Sequence, residues 1–477
     1  MSFASPLFLW FFTPIVLAAV LLAPRHWRNG IIAAASLLFY AAGAGPTTLL
    51  LLVCMAVNFI AGPYLEADEW DTNKRRRWRL LVAVVGFDVA VLVVWKYAGF
   101  ATEQLAGFAR LLGGDFPVTH LLLPIGISFY TFHHISYVVD IYRGERTALR
   151  KPVPFITYIA MFPQLVAGPI VRYREIADQL PQLRTHRLDD VAAGFPRFAL
   201  GLCKKVIIAD SLSPLVQQCF ATPADQMTFA VAWLGAVTYT LQLYFDFSGY
   251  SDMAIGLGRM LGFRLPENFA RPYSSVTITE FWRRWHMSLS RWFRDYVYIP
   301  LGGNREGAAK TYRNLCVVFL LTGFWHGANW TFLIWGAFHG ALLIVERGYG
   351  LDEAPTDPLR RYARRALTIV LVIVGWVFFR ADDLGDALVM IGHMLLPDFQ
   401  GLTDQVDAKL GNQVLVVLLL ALVIMVMPAS PVTGPMLESS RGRVATALRV
   451  AIMGPGLLWA TILVATGTFS PFLYYQF

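Results

Sequence analysis

The amino-acid sequence predicts an all-α protein that crosses a membrane many times, and three observations support this fold class. Hydrophobic residues make up 56% of the 477 residues, whereas about 45–50% is usual in soluble domains. Only 15% of the residues are charged, too few for a soluble surface, for which about 25% is typical. Apolar runs of roughly 20 residues, the length that spans a bilayer, recur along the chain.

These apolar runs alternate with short polar loops. They lie at 6–23, 30–44, 47–63, 80–98, 120–139, 153–170, 190–210, 228–262, 313–346, 366–380, 412–428 and 446–470. Because several runs are short or of double length, we expect roughly eleven to fourteen membrane segments. The longest polar stretches, 171–190 and 348–365, are predicted to be loops, so the whole chain, 1–477, is expected to form a single membrane domain.

The distribution of charge predicts the orientation of the chain. Lys and Arg outnumber Asp and Glu by 40 to 32, and the basic residues concentrate at 74–79, 143–151, 172–187 and 360–365. The positive-inside rule places these loops in the cytoplasm and residues 101–119 outside. The first apolar run has basic residues only after it, which favours a spanning helix with an external N-terminus over a cleavable signal peptide. The net charge of +8 is therefore attributed to topology beside anionic membrane lipids, not to nucleic-acid binding.

Several standard chemistries have no signature in the sequence. The cysteines lie far apart and predict neither a zinc site nor a disulfide framework: Cys54, Cys203, Cys219 and Cys316. The motifs G-x-S-x-G, H-E-x-x-H and G-x-x-x-x-G-K-[ST] do not occur. We therefore predict no metal site and expect histidine chemistry, in which a neutral imidazole takes a proton from a hydroxyl that attacks a thioester carbonyl.

The first candidate region is the amphipathic stretch 277–296. Thr277 and Glu280 have the spacing of a capping box, which predicts the start of a helix. At about 100° per residue, the aromatic side chains share one face of that helix and the arginines share the other: Arg283, Arg284, Arg291 and Arg294. We expect the helix to lie at a membrane interface or to line a wet cavity. His286 projects at the border between the faces, where either a structural or a functional role is open.

The second region is the apolar stretch 322–346, predicted to form a long helix or a helix pair. His326 and Asn329 are three residues apart and are expected to share a helical face. The glycines on either side of His326 would allow another helix or a substrate to approach. A histidine with so little polar company at membrane depth favours a functional role for His326. His339 would project elsewhere on a continuous helix and is expected to be structural.

The third region, 242–273, contains ionisable residues within an apolar run. Asp246, Asp252 and Arg259 interrupt the run, and the two aspartates are either acid–base groups or partners in helix packing. Small residues at four-residue spacing predict close helix packing: Ala254, Gly258 and Gly262. Elsewhere, His133 and His134 are adjacent and poorly arranged to chelate a metal, and the Pro/Gly-broken segment 162–170 is typical of a cavity lining.

Six stretches carry a resemblance to a known family: LLPIGISFYTFHHISYVVDIYRG (122–144), FPQLVAGPI (162–170), YFDFSGYSDMAIGLGRMLGF (244–263), the block from ENFARPY to PLGGNR (267–305), GFWHGANW (323–330) and GWVFFRADDLGDAL (375–388). Through them the chain resembles the membrane-bound O-acyltransferases (MBOAT), and within these the bacterial alginate O-acetylation branch. The resemblance covers most of the chain in the right order, and 267–330 is its most specific part.

The resemblance implies an O-acetyltransferase of the bacterial inner membrane. The implied fold is a ring of tilted transmembrane helices, with re-entrant and interfacial helices around a central tunnel. N-terminal helices would occupy 1–119, the catalytic core 120–346 and C-terminal helices 347–477. His326 would be the catalytic base and His286 a second catalytic residue that orients or protonates. The substrate-binding residues that we expect are Asn329, Trp325, Trp285, Arg283, Arg284 and Asp246. The arginines would either meet the phosphates of coenzyme A or anchor the helix at the interface.

The resemblance also implies substrates and partners. Acetyl-CoA, or an acyl carrier, would supply the acyl group from the cytosol without a permanently bound cofactor, and a periplasmic esterase-like protein would complete transfer to a polysaccharide. Alginate is the favoured polymer, with cellulose, peptidoglycan or D-alanylation of teichoic acid as alternatives. The aromatic C-terminus 471–477 would contact the acceptor or partner, or form an interfacial aromatic belt. A proton-coupled transporter is the alternative of another class, but the inverted repeats it predicts are not visible in the sequence.

Overall fold

A computed structural model describes residues 3–67, 73–119, 121–181, 187–439 and 442–467. All regular elements within these ranges are helices, which confirms the predicted fold class. The expected role of the aromatic C-terminus falls on 471–477, outside the described residues.

In chain order, the α-helices are α1 (Thr13–Leu22), α2 (Arg25–Ala44), α3 (Thr48–Ala61), α4 (Lys74–Leu111), α5 (Ile127–Tyr142), α6 (Pro152–Ala160), α7 (Phe162–Leu165), α8 (Tyr173–Ile176), α9 (Arg187–Cys203), α10 (Ser211–Phe220), α11 (Phe229–Met260), α12 (Ile278–Arg284), α13 (Met287–Phe293), α14 (Ala308–His326), α15 (Trp330–Gly348), α16 (Pro358–Arg380), α17 (Leu384–Leu395), α18 (Asp404–Asp407), α19 (Asn412–Val426), α20 (Thr433–Ser439), α21 (Arg443–Ala451) and α22 (Leu457–Ala465). Turns of π-helix occupy Phe8–Phe12, Lys204–Asp210, Arg294–Tyr298 and Ile452–Gly456, and short 3₁₀ turns occupy Gly45–Thr47, Gly62–Leu65, Ala177–Gln179 and Pro272–Ser274.

Fewer helices are of spanning length than the apolar runs suggested. In the described ranges, four are long and apolar enough to cross a bilayer: Arg25–Leu65, Lys74–Leu111, Pro358–Arg380 and Arg443–Ala465. Three shorter apolar helices accompany them: Phe8–Leu22, Leu384–Leu395 and Asn412–Val426. Glycine and proline explain part of the difference, because they interrupt helices inside apolar sequence. The single run 313–346, for example, is divided into α14 and α15 at Gly327.

The chain divides into two compact units. The first contains Met1–Phe195 and Ala254–Pro266. Within it, α2 packs against α6, and α4 packs against α5. The segment 162–170 is broken as predicted, since α7 ends at Leu165 and an irregular, buried stretch follows. The predicted stripe of small residues is only partly correct, because Gly262 lies beyond the end of α11 in a left-handed turn (φ +91°).

The second unit contains Pro196–Met253 and Glu267–Phe477. Its most intimate contact is the hairpin of α14 and α15, with α16 packed against α15. A β-carbon at Gly323 would lie 2.3 Å from the carbonyl oxygen of Phe332, and one at Gly336 would lie 2.4 Å from that of Phe319. The two helices therefore touch backbone to backbone, which fulfils the expectation that glycine beside His326 allows close approach by another helix.

A buried ion triad lies where α9 continues through a π-helical turn into α10. The Lys205 ammonium contacts a carboxylate oxygen of Asp210 at 2.7 Å and one of Asp246 at 2.6 Å, and each of the three side chains is 2% exposed. Asp210 is five positions after Lys205, which is the i→i+5 hydrogen-bond spacing of a π-helix, so the widened turn brings both side chains together. The polar group predicted at position 246 is thus held in an ion pair.

A second network surrounds Arg197, whose side chain is 2% exposed. Its guanidinium bonds Asp252 at 2.6 Å, Glu267 at 2.7 Å and Glu438 at 3.0 Å. Asp252 also receives Lys204 at 2.6 Å. In the first unit, Arg259 pairs with Asp190 at 2.9 Å. Asp246, Asp252 and Arg259 therefore all have ion-pair partners. For the two aspartates, this favours the packing alternative over the acid–base one.

Candidate active site

The stretch 277–296 is two short helices, so the prediction of one continuous helix was wrong. Its start is confirmed, because Thr277 Oγ1 accepts the Glu280 amide at 2.9 Å. The α12 helix ends at Arg284, and α13 begins at Met287. Between them His286 adopts a left-handed conformation (φ 43°, ψ 53°). This conformation is costly for a residue with a side chain, and such strain concentrates at functional sites.

The predicted separation of faces survives the break. The large apolar side chains point inward and are buried: Phe281, Trp282, Trp285, Leu289, Trp292 and Phe293. Arg283 and Arg294 are exposed, and Arg284 and Arg291 are half-buried. Each short helix is amphipathic by itself, so the pattern is correct although the assumed continuity was not.

Asn268 fixes the ring of His286, which is 1% exposed. The Asn268 Oδ1 atom accepts the Ser288 amide at 3.2 Å and the Ser288 hydroxyl at 2.8 Å, and it lies 3.1 Å from His286 Nδ1. An amide N–H can point only at an acceptor, so the atom at the centre must be the oxygen. His286 Nδ1 therefore carries the hydrogen in this arrangement, and Nε2 is the basic nitrogen of the neutral ring.

His326 belongs to the same aromatic cluster, because both histidines contact Trp325. It is the last residue of α14 and is 5% exposed. Three rings surround its imidazole at centroid distances of 4.8, 5.1 and 5.0 Å: Trp325, Trp335 and Phe379. The edge-to-face contacts to Trp335 and Phe379 come from α15 and α16, so two further helices hold the ring in place.

The two predicted catalytic histidines meet at one indole. The centroid of Trp325 lies 6.3 Å from that of His286 and 4.8 Å from that of His326. Phe247 closes the other side of His286 at 4.7 Å in an edge-to-face contact. Two histidines that are distant in the sequence thus converge on one buried site, where both imidazoles contact Trp325. Trp325, one of the predicted binding residues, is thus the residue that contacts both histidines.

Asn329 does not share a helical face with His326, contrary to the expectation from a continuous helix. The α14 helix ends at His326, and Asn329 caps α15, where its side chain accepts the Thr331 amide at 3.1 Å. Its amide nitrogen donates to the carbonyl oxygen of Asp382 at 2.9 Å. Asn329 therefore orients the helix that follows the catalytic candidate.

His339, which was expected to be structural, lies in the interior of the protein. Its ring packs on Trp282 at 5.1 Å and on Trp335 at 5.3 Å, and the side chain is fully buried. Because the helix is broken, however, His326 and His339 contact the same Trp335, which the projection on a continuous helix did not predict.

The other predicted binding residues differ in their availability. Trp285 is 2% exposed and stacks on Phe281 within the aromatic core. Arg284 is bound by Glu280 at 2.8 Å and donates to the carbonyl oxygen of Ala270 at 3.2 Å. Asp246 belongs to the Lys205 triad. The side chains of Trp285, Arg284 and Asp246 are therefore engaged in contacts within the protein.

Arg283 is the accessible member of the predicted set. It lines a cavity of about 250 Å³ together with Trp282, Arg294 and residues of α14 and α15. Trp282, which lines this cavity, contacts Trp335, and Trp335 in turn contacts His326. An apolar cavity with guanidinium groups at its edge can take an anionic molecule that carries an apolar or amide arm.

Sequence reasoning missed the residues that support the site: Asn268, Phe247, Trp335, Phe379 and Lys205. Asn268, Phe247 and Phe379 lie within the stretches that carry the family resemblance. No helical periodicity distinguishes them, however, because Asn268 lies in an irregular segment and the rings are ordinary core residues on helices. Among the described residues, no three His, Cys, Asp or Glu side chains form a group that could hold a metal ion.

Comparison with known proteins decides the family. Residues 146–380 match the membrane-bound O-acyltransferase family, MBOAT. Over the full length of both chains, this protein is 44% identical to a probable alginate O-acetylase of Azotobacter vinelandii. The chain belongs to the MBOAT family.

As an MBOAT protein it is an O-acyltransferase, and the matched region contains both histidines and the Lys205 triad. It is 48% identical to a probable alginate O-acetylase of Pseudomonas aeruginosa, over 80% of this chain and 73% of the relative. It is also 35% identical to a peptidoglycan O-acetyltransferase of Helicobacter pylori, over 82% of this chain and 79% of the relative.

Proposed function

We propose that this MBOAT protein moves acetyl groups from cytosolic acetyl-CoA to the outer side of the bacterial inner membrane for O-acetylation of a polysaccharide, with alginate as the polymer. The observation that carries the proposal is the pair of buried imidazoles that both contact the indole of Trp325. The relatives named alginate O-acetylases support the choice of acetyl group and polymer. A periplasmic esterase-like partner would complete the transfer to sugar hydroxyls.

His326 acts as the general base in this mechanism. The acceptor hydroxyl attacks the thioester carbonyl carbon, and its proton passes to the imidazole of His326. The tetrahedral intermediate then collapses, the carbon–sulfur bond breaks, and the proton moves from the imidazolium to the departing thiolate. His326 ends α14, where the partial negative charge of a helix C-terminus stabilises the positive ring that forms during transfer.

His286 orients the acceptor. Because its Nδ1 hydrogen faces Asn268, its Nε2 lone pair can accept a hydrogen bond from the hydroxyl that reacts. Asn268 and the left-handed turn keep the ring direction fixed before substrate arrives, which lowers the cost of orientation in the transition state. Asn268 is therefore a positioning residue and His286 a substrate-contacting one.

Acetyl transfer in proteoliposomes tests the function. Purified protein is supplied with acetyl-labelled acetyl-CoA on one face, and alginate oligosaccharides with the periplasmic partner on the other. We expect label on the sugar. Label that stays on coenzyme A with alginate, cellulose and peptidoglycan fragments alike would contradict O-acetylation, whereas transfer only from a D-alanyl carrier protein would assign a different acyl group.

Arg283 and Arg284 should behave differently toward the donor. Arg283 is exposed at the edge of the 250 Å³ cavity, whereas Arg284 is held by Glu280 and Ala270. A charge-assisted hydrogen bond contributes about 1.5–3 kcal/mol, so we expect Arg283→Gln to raise the KM for acetyl-CoA about tenfold or more with kcat little changed. Arg284→Gln should instead lower thermal stability. Equal KM values for wild type and Arg283→Gln would remove Arg283 from the donor site.

A further inference from the structure

An apolar cleft of about 580 Å³ lies in the second unit, apart from the two histidines. Two of its walls come from α19 and from the α21–α22 segment, and the third comes from α9, its π-helical extension and α11. The lining is dominated by large apolar side chains, among them Leu200, Ile207, Phe245, Ile424, Leu448 and Trp459. This volume is in the range of about 300–1,000 Å³ that is typical of ligand pockets.

Two cations line this apolar cleft, and they differ in how they are neutralised. The Lys204 ammonium contacts the Asp252 carboxylate at 2.6 Å. The Arg271 guanidinium instead donates to the carbonyl oxygen of Pro428 at 3.0 Å and to Thr433 Oγ1 at 3.2 Å. In the described part of the chain, no carboxylate lies within ion-pair distance of Arg271. Its two partners fix the guanidinium but leave its charge uncompensated.

The backbone of Arg271 is also constrained. Arg271 is one of three non-glycine residues with positive φ in the described ranges (φ 49°). Such a conformation persists only where its surroundings hold it. Here the side-chain bonds to Pro428 and Thr433 and the following 3₁₀ turn Pro272–Ser274 provide that hold. The half-buried guanidinium is therefore presented to the cleft in a fixed direction.

We propose that this cleft binds an anionic phospholipid of the surrounding membrane, with an acyl chain between the helices and the phosphate on Arg271. A lipid is the occupant that fits, because one wall belongs to Arg443–Ala465, which is long and apolar enough to cross a bilayer, and another to the shorter apolar helix Asn412–Val426. The uncompensated guanidinium selects a negative headgroup over a zwitterionic one, since arginine binds phosphate through paired N–H donors.

The lipid site adjoins the segment that positions His286. Arg271 is three residues after Asn268 in the sequence. Two hydrogen bonds hold the chain between them against α12: the Ala270 amide donates to the Arg284 carbonyl oxygen at 3.0 Å, and the Arg284 guanidinium donates to the Ala270 carbonyl oxygen at 3.2 Å. A phosphate on Arg271 would hold one end of this segment. The bound lipid is therefore expected to steady the Asn268–His286 contact and to raise activity.

Lipid binding is measured directly, so the result does not depend on the acceptor sugar. Protein purified in detergent is titrated with phosphatidylglycerol or phosphatidylcholine of equal chain length, and bound lipid is counted by native mass spectrometry. We expect one tightly retained phosphatidylglycerol and about tenfold weaker retention of phosphatidylcholine. Equal retention of the two lipids, or tighter binding of a neutral isoprenoid, would overturn the proposal.

Three variants locate the site. Arg271→Gln should weaken phosphatidylglycerol binding about tenfold, and Arg271→Lys should restore most of it by returning the charge. Ile424→Trp should block the cleft and lose the lipid although Arg271 is intact. Arg361, an exposed arginine of α16 that does not line the cleft, provides the matched control, since Arg361→Gln removes the same charge without changing the lining. Wild-type lipid retention in both Arg271→Gln and Ile424→Trp would overturn the assignment even if acetyl transfer were confirmed.

Discussion

Replacing His326 with alanine should reduce acetyl transfer by about two to four orders of magnitude, the range that a positioned general base contributes. In the proposed mechanism, the imidazole of His326 at the end of α14 takes the acceptor proton. The rings packed around it, Trp325, Trp335 and Phe379, cannot accept that proton in its place. The loss should appear in kcat and in kcat/KM together, because the interaction is made in the transition state.

His339 supplies a matched control for the packing lost with the ring. Both histidines are buried and both contact Trp335 edge-on, at 5.1 Å for His326 and 5.3 Å for His339. His339→Ala should therefore lower the thermal unfolding midpoint by a similar amount while retaining most of the acetyl transfer. Added imidazole should partly restore the His326→Ala variant, since the substitution leaves a ring-sized space beside Trp325. A His326→Ala enzyme with more than a tenth of the wild-type rate would rule out the base assignment.

Replacing Lys205 with methionine should destabilise the protein by about 3–5 kcal/mol, the cost of breaking a buried pair by removing one partner. Asp210 and Asp246 would both remain 2% exposed without their shared ammonium. Methionine keeps nearly the length and volume of the lysine stem, so the loss reports charge rather than a cavity. The thermal unfolding midpoint and the half-life in detergent measure the effect.

The partner carboxylates provide the control for this prediction. Adding Asp210→Asn and Asp246→Asn to Lys205→Met removes the uncompensated charges, so the triple variant should recover much of the stability. If Lys205→Met is as stable as the wild type, or if the triple variant is less stable than the single one, the triad does not hold this region together. Full acetyl transfer by a stable triple variant would also exclude Asp246 as a substrate-binding residue.

The sequence predicted which helix faces are apolar or polar better than it predicted where the helices break. Hydropathy alone indicated an all-helical membrane protein, and the capping pattern at Thr277 located the start of α12 correctly. A projection at a constant angle, however, assumes an unbroken helix. It failed at His286 and at Gly327, where tertiary contacts replace the intrahelical hydrogen bonds that periodicity presupposes.

The residues that support the site, such as Asn268 and Lys205, could not be predicted from the sequence, because their roles also depend on tertiary contacts. His286 and His326 were conspicuous because titratable groups are rare at membrane depth. Their meeting at Trp325 depends on the hairpin of α14 and α15, and the direction of His286 depends on Asn268. Lys205 lies in an apolar run and resembles a topology charge until the fold places two carboxylates around it. Such pairings are properties of the folded chain and leave no local pattern.

Position 286 must satisfy two separate requirements: a left-handed backbone conformation and, in the proposed mechanism, an imidazole side chain. Asparagine and glycine adopt that backbone most easily, but neither carries an imidazole. Alanine meets neither demand, so an alanine scan at this position confounds catalysis with local strain. Asparagine is the informative replacement, because it tolerates the turn and removes only the ring. Under the proposed mechanism, two independent requirements therefore limit which residues can replace His286: the left-handed backbone disfavours most side chains, and the reaction requires an imidazole.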